Sequence, residues 1–458
     1  MRHDALHTDL YQLTMTAAYV HRGMADLPVV CEAFVRRLPP RRSFLLVAGL
    51  ADVVRYLLEL RFTEDQLSYL AGLEVFRSTL DGRLRDRLLG FRFTGDLWAM
   101  PEGTVAFANE PLIRVEAPLW QAQLVETALL SRLNHATLVA SKAARIVAAA
   151  RGAKVMEFGS RRTNSDAAVE AARSAYIAGC AGTSNVEAGR RYGLPVFGTM
   201  AHMFTMAHPT EAAAFESYLS VFPGSALLVD TYGTLAGVER ACAAARAHAD
   251  GPRALAAVRV DSELFDESGR PSGICRRVRR RLDELGFHHT RVVVSDDLNE
   301  QRIGALLDAG EPVDAFGVGT ELVTAKDAPA LGGVYKLVSV GEDARPVLKL
   351  SPGKVTYPGA HQVWRRHDEG GVTVEDRLGL SHEDLPGEPL LEPVLRQGQP
   401  VTPVRVGDVE QARARAQQQL SSLPPEVILG DRPAIEATPT PRLLELSRRA
   451  ADQLKGES

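Results

Sequence analysis

The segment Gly198-Thr199-Met200-Ala201-His202 follows the apolar run Leu194-Pro195-Val196-Phe197. A strand that stops at glycine and then offers an imidazole puts a titratable nucleophile at the mouth of a scaffold. Other apolar runs end in equally reactive letters: Glu157-Phe158-Gly159-Ser160-Arg161-Arg162, Asp230-Thr231-Tyr232, Asp261-Ser262, Ser295-Asp296-Asp297 and Gly317-Val318-Gly319-Thr320. Arginines, a histidine, carboxylates and a glycine-rich turn together suit an anionic, phosphorylated substrate. Gly317–Thr320 lets backbone N–H groups approach a phosphate at a helix start, or is simply a structural turn. Arg161 and Arg162 clamp a diphosphate or a carboxylate, or form a solvated face. Asp230, Asp261, Asp296 and Asp297 hold Mg²⁺ through water, bind a ribose diol, or cap helices. His202 alone reads as a hydrogen-bonded structural histidine. Its coincidence with the other strand ends favours an active site.

Strand signals of this kind recur at Lys154–Phe158, Pro195–Phe197, Ala226–Val229, Ala254–Val260, Arg291–Val294, Val313–Phe316 and Gly333–Val338, with helical segments between them. The alternation predicts a parallel sheet in a closed or nearly closed α/β barrel, with the site at the C-terminal strand ends. Upstream, strand-like runs at Val29–Val35 and Phe91–Trp98 and a helix from Leu50 to Leu60 indicate an α+β domain. A long helical stretch from Leu119 to Ala150 follows it. The expected organisation is an N-terminal α+β domain over 1–118 with a return segment near 345–400, a catalytic barrel over 119–340, and a helical segment over 400–458. That last segment, with helical spacing between 408 and 420, is expected to pack on the barrel exterior.

Composition narrows the partners. A net charge of −4 over 458 residues supplies no field for nucleic acid or a membrane surface, so small molecules are the expected partners. Cys31, Cys180, Cys242 and Cys275 lie far apart, which signals neither a disulfide framework nor a zinc site and fits a reducing compartment. Asp4 and Asp9 stand where a signal peptide needs an apolar core, and Lys142 and Arg145 break the apolar run near Val139. A cytoplasmic protein is expected. Arg276–Arg281 reads as the solvated face of an amphipathic helix with Val278 and Leu282 inward. His202 and His208 have the wrong spacing for a one-face metal site, and no metal ligand set is assigned.

Thr8–Met15, Glu157–Arg162, Ala181-Gly182-Thr183-Ser184-Asn185-Val186, Gly198–His202, Asp230-Thr231-Tyr232 and Phe316–Thr320, in that order, resemble nicotinate phosphoribosyltransferases. The resemblance runs from about residue 8 through Val334–Val338 and, weakly, to about 366. It implies a type II phosphoribosyltransferase: an irregular TIM-like α/β barrel with an N-terminal α+β domain, working as a homodimer with a shared site. The implied reaction joins nicotinate to 5-phosphoribosyl 1-diphosphate, giving nicotinate mononucleotide and diphosphate, with Mg²⁺ as cofactor and ATP as co-substrate, in NAD salvage. His202 falls at the phosphorylated histidine and Asp230 at the carboxylate that orients it. Phe158 and the partner subunit's Tyr11 resemble the aromatic pair around the pyridine ring. Thr199 and Arg259 match nicotinate contacts, and Arg161, Gly319 and Thr320 match positions near the phosphates and ribose. Arg162, Thr183, Ser184, Asp261 and Asp297 complete the expected binding set.

The chain departs from the family pattern in three places. Asp-Ser-Gly-Asp-Leu becomes the longer Asp261–Arg270 loop, the serine after the histidine becomes Met203, and Asp-Thr-Tyr-Asp ends in Gly233. Two other readings follow from these changes: a transferase for nicotinamide or another pyridine or azole acid, and a catalytically weak ligand-binding member. Formation of a nucleotide from a panel of pyridine carboxylates separates the three.

Overall fold

The computed structural model describes residues 5–350, 356–401, 408–431 and 435–456. Asp4 and parts of the return and C-terminal segments lie outside the described residues. The chain divides into two compact units, Lys142–Asp327 and the combined segments Met1–Ser141 and Ala328–Ser458.

The Lys142–Asp327 unit carries the chemistry. Its six parallel strands are β1 (Lys154–Glu157), β2 (Gly182–Thr183), β3 (Ser225–Leu228), β4 (Leu255–Val260), β5 (Arg291–Ser295) and β6 (Ala315–Val318), in the order β2-β1-β6-β5-β4-β3. The sheet is an open, curled half-barrel. Helices α1 (Ser165–Ile177), α2 (Val186–Tyr192), α3 (His202–Met206), α4 (Glu211–Val221), α5 (Thr234–Ala247), α6 (Ile274–Glu284), α7 (Glu300–Asp308) and α8 (Thr320–Val323) follow the strands. Strands covered on both faces need continuous apolar runs, which is why Leu227, Leu228, Val258, Val260, Val292 and Val294 are buried. Four helices start on side-chain caps: Asn164, Asn185, Thr210 and Asn299 each accept a backbone N–H from the first turn.

Two of the expected strands are placed differently. The Pro195–Phe197 run contributes only a single parallel bridge, Val196 to Thr183, because Pro195 has no N–H to extend the ladder. Gly333–Val340 leaves the parallel sheet altogether and pairs antiparallel with Pro28–Val35, with Cys31 opposite Leu337. The expected helix over 119–150 is two helices, Leu119–Leu124 and Glu126–Ala149, separated at Val125. Lys142 lies buried on the longer helix, with its ammonium 2.6 Å from Glu300 and 3.1 Å from Asp327. The Lys142 charge is thus matched within the Lys142–Asp327 unit. No helix among the described residues is long and apolar enough to cross a membrane.

The arginine run lies on α6, where Val278 and Leu282 are buried. Its charges are locally neutralised, Arg276 by Glu311, Arg279 by Asp283 and Arg281 by Glu239 and Glu284.

In the other unit, a seven-stranded antiparallel sheet centres on Pro28–Val35 and Pro111–Pro118 and takes in Asp96–Ala99 and Glu392–Arg396. A four-stranded sheet is built on His361–His367 and Thr373–Leu380. The helix Val409–Ser421, expected on the barrel exterior, belongs to this unit instead. Its Gln419 accepts from the fully buried Arg365 at 2.6 Å, which also pairs with Asp376. A buried guanidinium needs several acceptors, and the helix supplies one of them.

Candidate active site

A cavity of about 510 Å³ opens at the C-terminal strand ends. The turn after β1 gives it Phe158, Arg161 and Arg162, and the turn after β2 gives Ser184. Gly198 to His202 form one wall, Arg259 and Asp261 come from β4, Ser295 to Asp297 from β5, and Gly317, Gly319 and Thr320 from β6.

Phe158 lies over the backbone of Gly317. A Cβ at Gly317 would stand 2.4 Å from the Phe158 ring, so only glycine lets the aromatic plane occupy that position. Gly317→Ala is therefore expected to displace the ring and raise the KM for an aromatic substrate roughly tenfold, as loss of about 1.4 kcal/mol of stacking predicts. Steady-state kinetics with an unfolding midpoint checks this, and an unchanged KM refutes it.

Arg259 is largely buried, and its Nε has no hydrogen-bond partner while Nη1 lies 3.5 Å from Thr199 Oγ1. Burial pulls its pKa below the ordinary arginine value, opposed by the nearby Asp261 and Asp230. A guanidinium stays protonated under such pressure and seeks an anion. An adjoining recess of about 300 Å³ shares Phe158, Thr199 and Arg259 and adds Met156, Phe197 and Val293. An apolar slot with one desolvated cation suits a flat aromatic acid.

The carboxylates are tied together. Asp261 Oδ1 accepts the Ser295 hydroxyl. Asp230 Oδ2 accepts the Asp261 N–H at 2.7 Å and the Ser262 hydroxyl at 2.6 Å, while Oδ1 is buried without a partner. Asp296 and Asp297 both have positive φ, 137° and 38°, a costly conformation for two successive non-glycine residues. Burial raises the Asp296 pKa, and Asp297, Asp261 and Asp230 push it further up against the pull of Arg302. Among the described residues no group of three or more His, Cys, Asp or Glu converges as a metal cage.

His202 begins α3. Its Nδ1 is 3.2 Å from Thr231 Oγ1 and its Nε2 is 3.9 Å from Asp261 Oδ2. Asp230, expected as the carboxylate that orients this ring, makes no hydrogen bond to it and does not line the cavity; it accepts the Asp261 N–H and the Ser262 hydroxyl. Thr183 is likewise not a wall residue. It is fully buried, with its hydroxyl turned to Glu157. Tyr11 belongs to the other unit, on the helix Leu10–His21, and is 48% exposed. His208 is bonded to the Phe204 carbonyl at 2.8 Å. Ser295, Gly317 and Glu157 stand in the strand-end segments named from the sequence but outside the expected binding set.

Residues 6–134 match the family model described as nicotinate phosphoribosyltransferase (NAPRTase) N-terminal domain, and residues 153–347 match the NAPRTase family itself. The chain belongs to the nicotinate phosphoribosyltransferase family. It is 48% identical over 424 residues to a nicotinate phosphoribosyltransferase of Mycobacterium tuberculosis, covering 92% of this chain and 88% of that protein. A Bacillus subtilis nicotinate phosphoribosyltransferase is 42% identical over 378 residues, covering 80% of this chain and 75% of that protein. The crystal structure of human nicotinic acid phosphoribosyltransferase superposes with a TM-score of 0.83 at 29% identity, covering 97% of this chain and 99% of that one.

Within this nicotinate phosphoribosyltransferase fold, the three departures have local explanations. Gly233 precedes α5 with φ 152°, a backbone state an aspartate reaches only under strain. Met203 is 79% exposed and turns away from the packed interior. The longer loop after Asp261 forms a hairpin with a Phe265–Pro271 bridge, and Asp266 holds Ser268 and Arg270. Arg302 lies 4.2 Å over the Phe265 ring and 3.7 Å from Asp296, joining the hairpin to the cavity wall.

Proposed function

We propose that this protein transfers the phosphoribosyl group of 5-phosphoribosyl 1-diphosphate to nicotinate, forming nicotinate mononucleotide and diphosphate in NAD salvage. The observation that carries the reading is Arg259, a desolvated guanidinium with an unused donor beside the Phe158 platform. Nicotinate offers one carboxylate and one flat ring, and this pair answers both. Arg161, Gly319 and Thr320 face the same cavity and supply donors for phosphate oxygens.

The pyridine nitrogen attacks the anomeric carbon as its bond to the diphosphate oxygen breaks. Positive charge grows on the sugar, and the acidic wall of Asp261, Asp296 and Asp297 stabilises it. Phe158 and Arg259 hold the nitrogen in line, which converts a two-body encounter into a positioned one. Magnesium fits this donor set: it binds through one or two carboxylates plus substrate phosphates, and so needs no cage of protein ligands. Its contribution when bound is to neutralise the departing diphosphate.

ATP is read as a co-substrate that phosphorylates His202. The working unit is read as a homodimer in which Tyr11 of one copy closes over the pyridine ring of the other. An apolar stripe supports this, since Leu10, Tyr11 and Met15 are 52%, 48% and 37% exposed on one helix. The four described cysteines are all free thiols, which fits the cytoplasm.

Ser184 makes the acid-over-amide choice testable. It lines the cavity with a neutral hydroxyl, so nothing on that turn repels a carboxylate. With phosphoribosyl diphosphate and Mg²⁺, nicotinate is expected to be turned over in strong preference to nicotinamide. Ser184→Asp is expected to lower kcat/KM for nicotinate about 10²-fold, as like charges in a partly buried site oppose each other by several kcal/mol. Equal turnover of the acid and the amide by the unmodified protein refutes the reading.

A further inference from the structure

Glu157 ends β1 with its side chain completely buried, and no described lysine, arginine or histidine forms an ion pair with it. It is held by hydrogen bonds alone. One carboxylate oxygen accepts the N–H of Gly159 in its own turn, and the other accepts the hydroxyl of Thr183, its register partner on β2, at 2.5 Å. The backbone continues the link: the Glu157 carbonyl accepts the Ser184 N–H at 2.9 Å. Thr183 Oγ1 in turn accepts the Asn185 N–H at 2.9 Å, and Asn185 caps α2.

A buried carboxylate without a cation is a poor choice for stability. Here two donors, a peptide N–H and a hydroxyl, converge on one side chain, and only a carboxylate offers both an acceptor. Glutamine would present one acceptor and one N–H₂ group. The Thr183 hydroxyl oxygen can accept from that amide, but its own hydrogen then loses its partner. The Gly159 turn cannot drift to compensate, because even a Cβ there would stand 2.3 Å from Val323 of α8. The two turns so joined are those that bear Phe158 and Ser184, one under the ring and the other on the cavity wall.

We propose that Glu157 is a positioning residue that fixes the Ser184 turn against the Phe158 platform and thereby sets the preference for acid over amide. This rests on nicotinate being the substrate. Glu157 touches neither substrate nor reacting atoms and acts through the Gly159 and Thr183 contacts.

The test is Glu157→Gln, Thr183→Val and Thr183→Ser in the full chain, with KM for nicotinate, kcat, the inhibition constant of nicotinamide and the unfolding midpoint measured for each. Glu157→Gln and Thr183→Val are each expected to raise the nicotinate KM roughly tenfold, with kcat and the nicotinamide inhibition constant changing less than about threefold. Thr183→Ser, which keeps the hydroxyl, is expected to restore the wild-type KM. The double variant Glu157→Gln/Thr183→Val is expected to be no worse than the poorer single one, since both break the same link. A wild-type acid-to-amide ratio in Glu157→Gln overturns the proposal, as does equal loss for both ligands. A wild-type protein inert toward nicotinate overturns the proposed function and this inference with it. Wild-type turnover with unaltered selectivity in the variants overturns only the inference.

Discussion

Arg259→Ala is expected to lower kcat/KM for nicotinate by about 10²–10³-fold, the cost of leaving one buried charge without its partner. The guanidinium lies on β4, with Nη1 3.5 Å from Thr199 Oγ1 and Nε unpartnered, and in the proposed reading the nicotinate carboxylate is the acceptor it lacks. Nicotinamide has no charge to lose there, and its inhibition constant is expected to change far less. Arg259→Lys restores a point charge but not a two-pronged donor, and is expected to recover only part of the activity. Unchanged nicotinate kinetics in a folded Arg259→Ala protein would remove this residue from substrate binding.

The sequence reveals the parallel core because strands buried on both faces leave unbroken apolar runs: β1 and β4 fall within the predicted ones, and β3, β5 and β6 overlap theirs. It fails for Gly333–Val340 because an apolar run does not name its partner. The antiparallel register with Pro28–Val35 is a contact between distant parts of the chain. It also misses Gly182–Thr183, a strand of two residues that is too short to show any period. The site divides along the same line. Phe158, Arg161, Asp261 and His202 are visible as residue types at strand ends and Arg259 only through the family resemblance, and all line the cavity. Thr183 looks like a ligand contact by type, yet its register opposite Glu157 turns it inward. The partner of Asp230 depends on how the loop after β4 folds, and that loop brings the Asp261 peptide to it. Gly317 acts through the Cβ it lacks, which becomes meaningful only once Phe158 is seen over it.

His202→Ala is expected to abolish stimulation by ATP and acid-labile ³²P incorporation from γ-labelled ATP, while ATP-independent transfer persists. In the tautomer that donates from Nδ1 to Thr231 Oγ1, the lone pair lies on Nε2, on the side of Asp261 Oδ2 at 3.9 Å. In the proposed step that nitrogen takes the γ-phosphoryl group as the bond to the β-phosphate oxygen breaks and ADP leaves, and water then releases phosphate and restores the imidazole. The proposed ring contacts, Phe158 and Arg259, share none of these atoms, so transfer is expected to survive the loss of the nucleophile. The neighbouring positions then rank by their distance from the imidazole. Thr231→Val frees the ring, and Asp261→Asn removes the charge that stabilises an imidazolium. Each is expected to slow labelling on the order of tenfold, the net worth of one hydrogen bond to a charged group. Asp230→Asn acts one step further away, since its carboxylate holds the Asp261 peptide and the Ser262 hydroxyl, so its effect is expected to be smaller than that of Asp261→Asn. Peptide mapping of the label decides the assignment: phosphate on any other residue, or full ATP stimulation in His202→Ala, excludes His202, whereas a larger defect in Asp230→Asn than in Asp261→Asn shows that the orienting charge is delivered from Asp230.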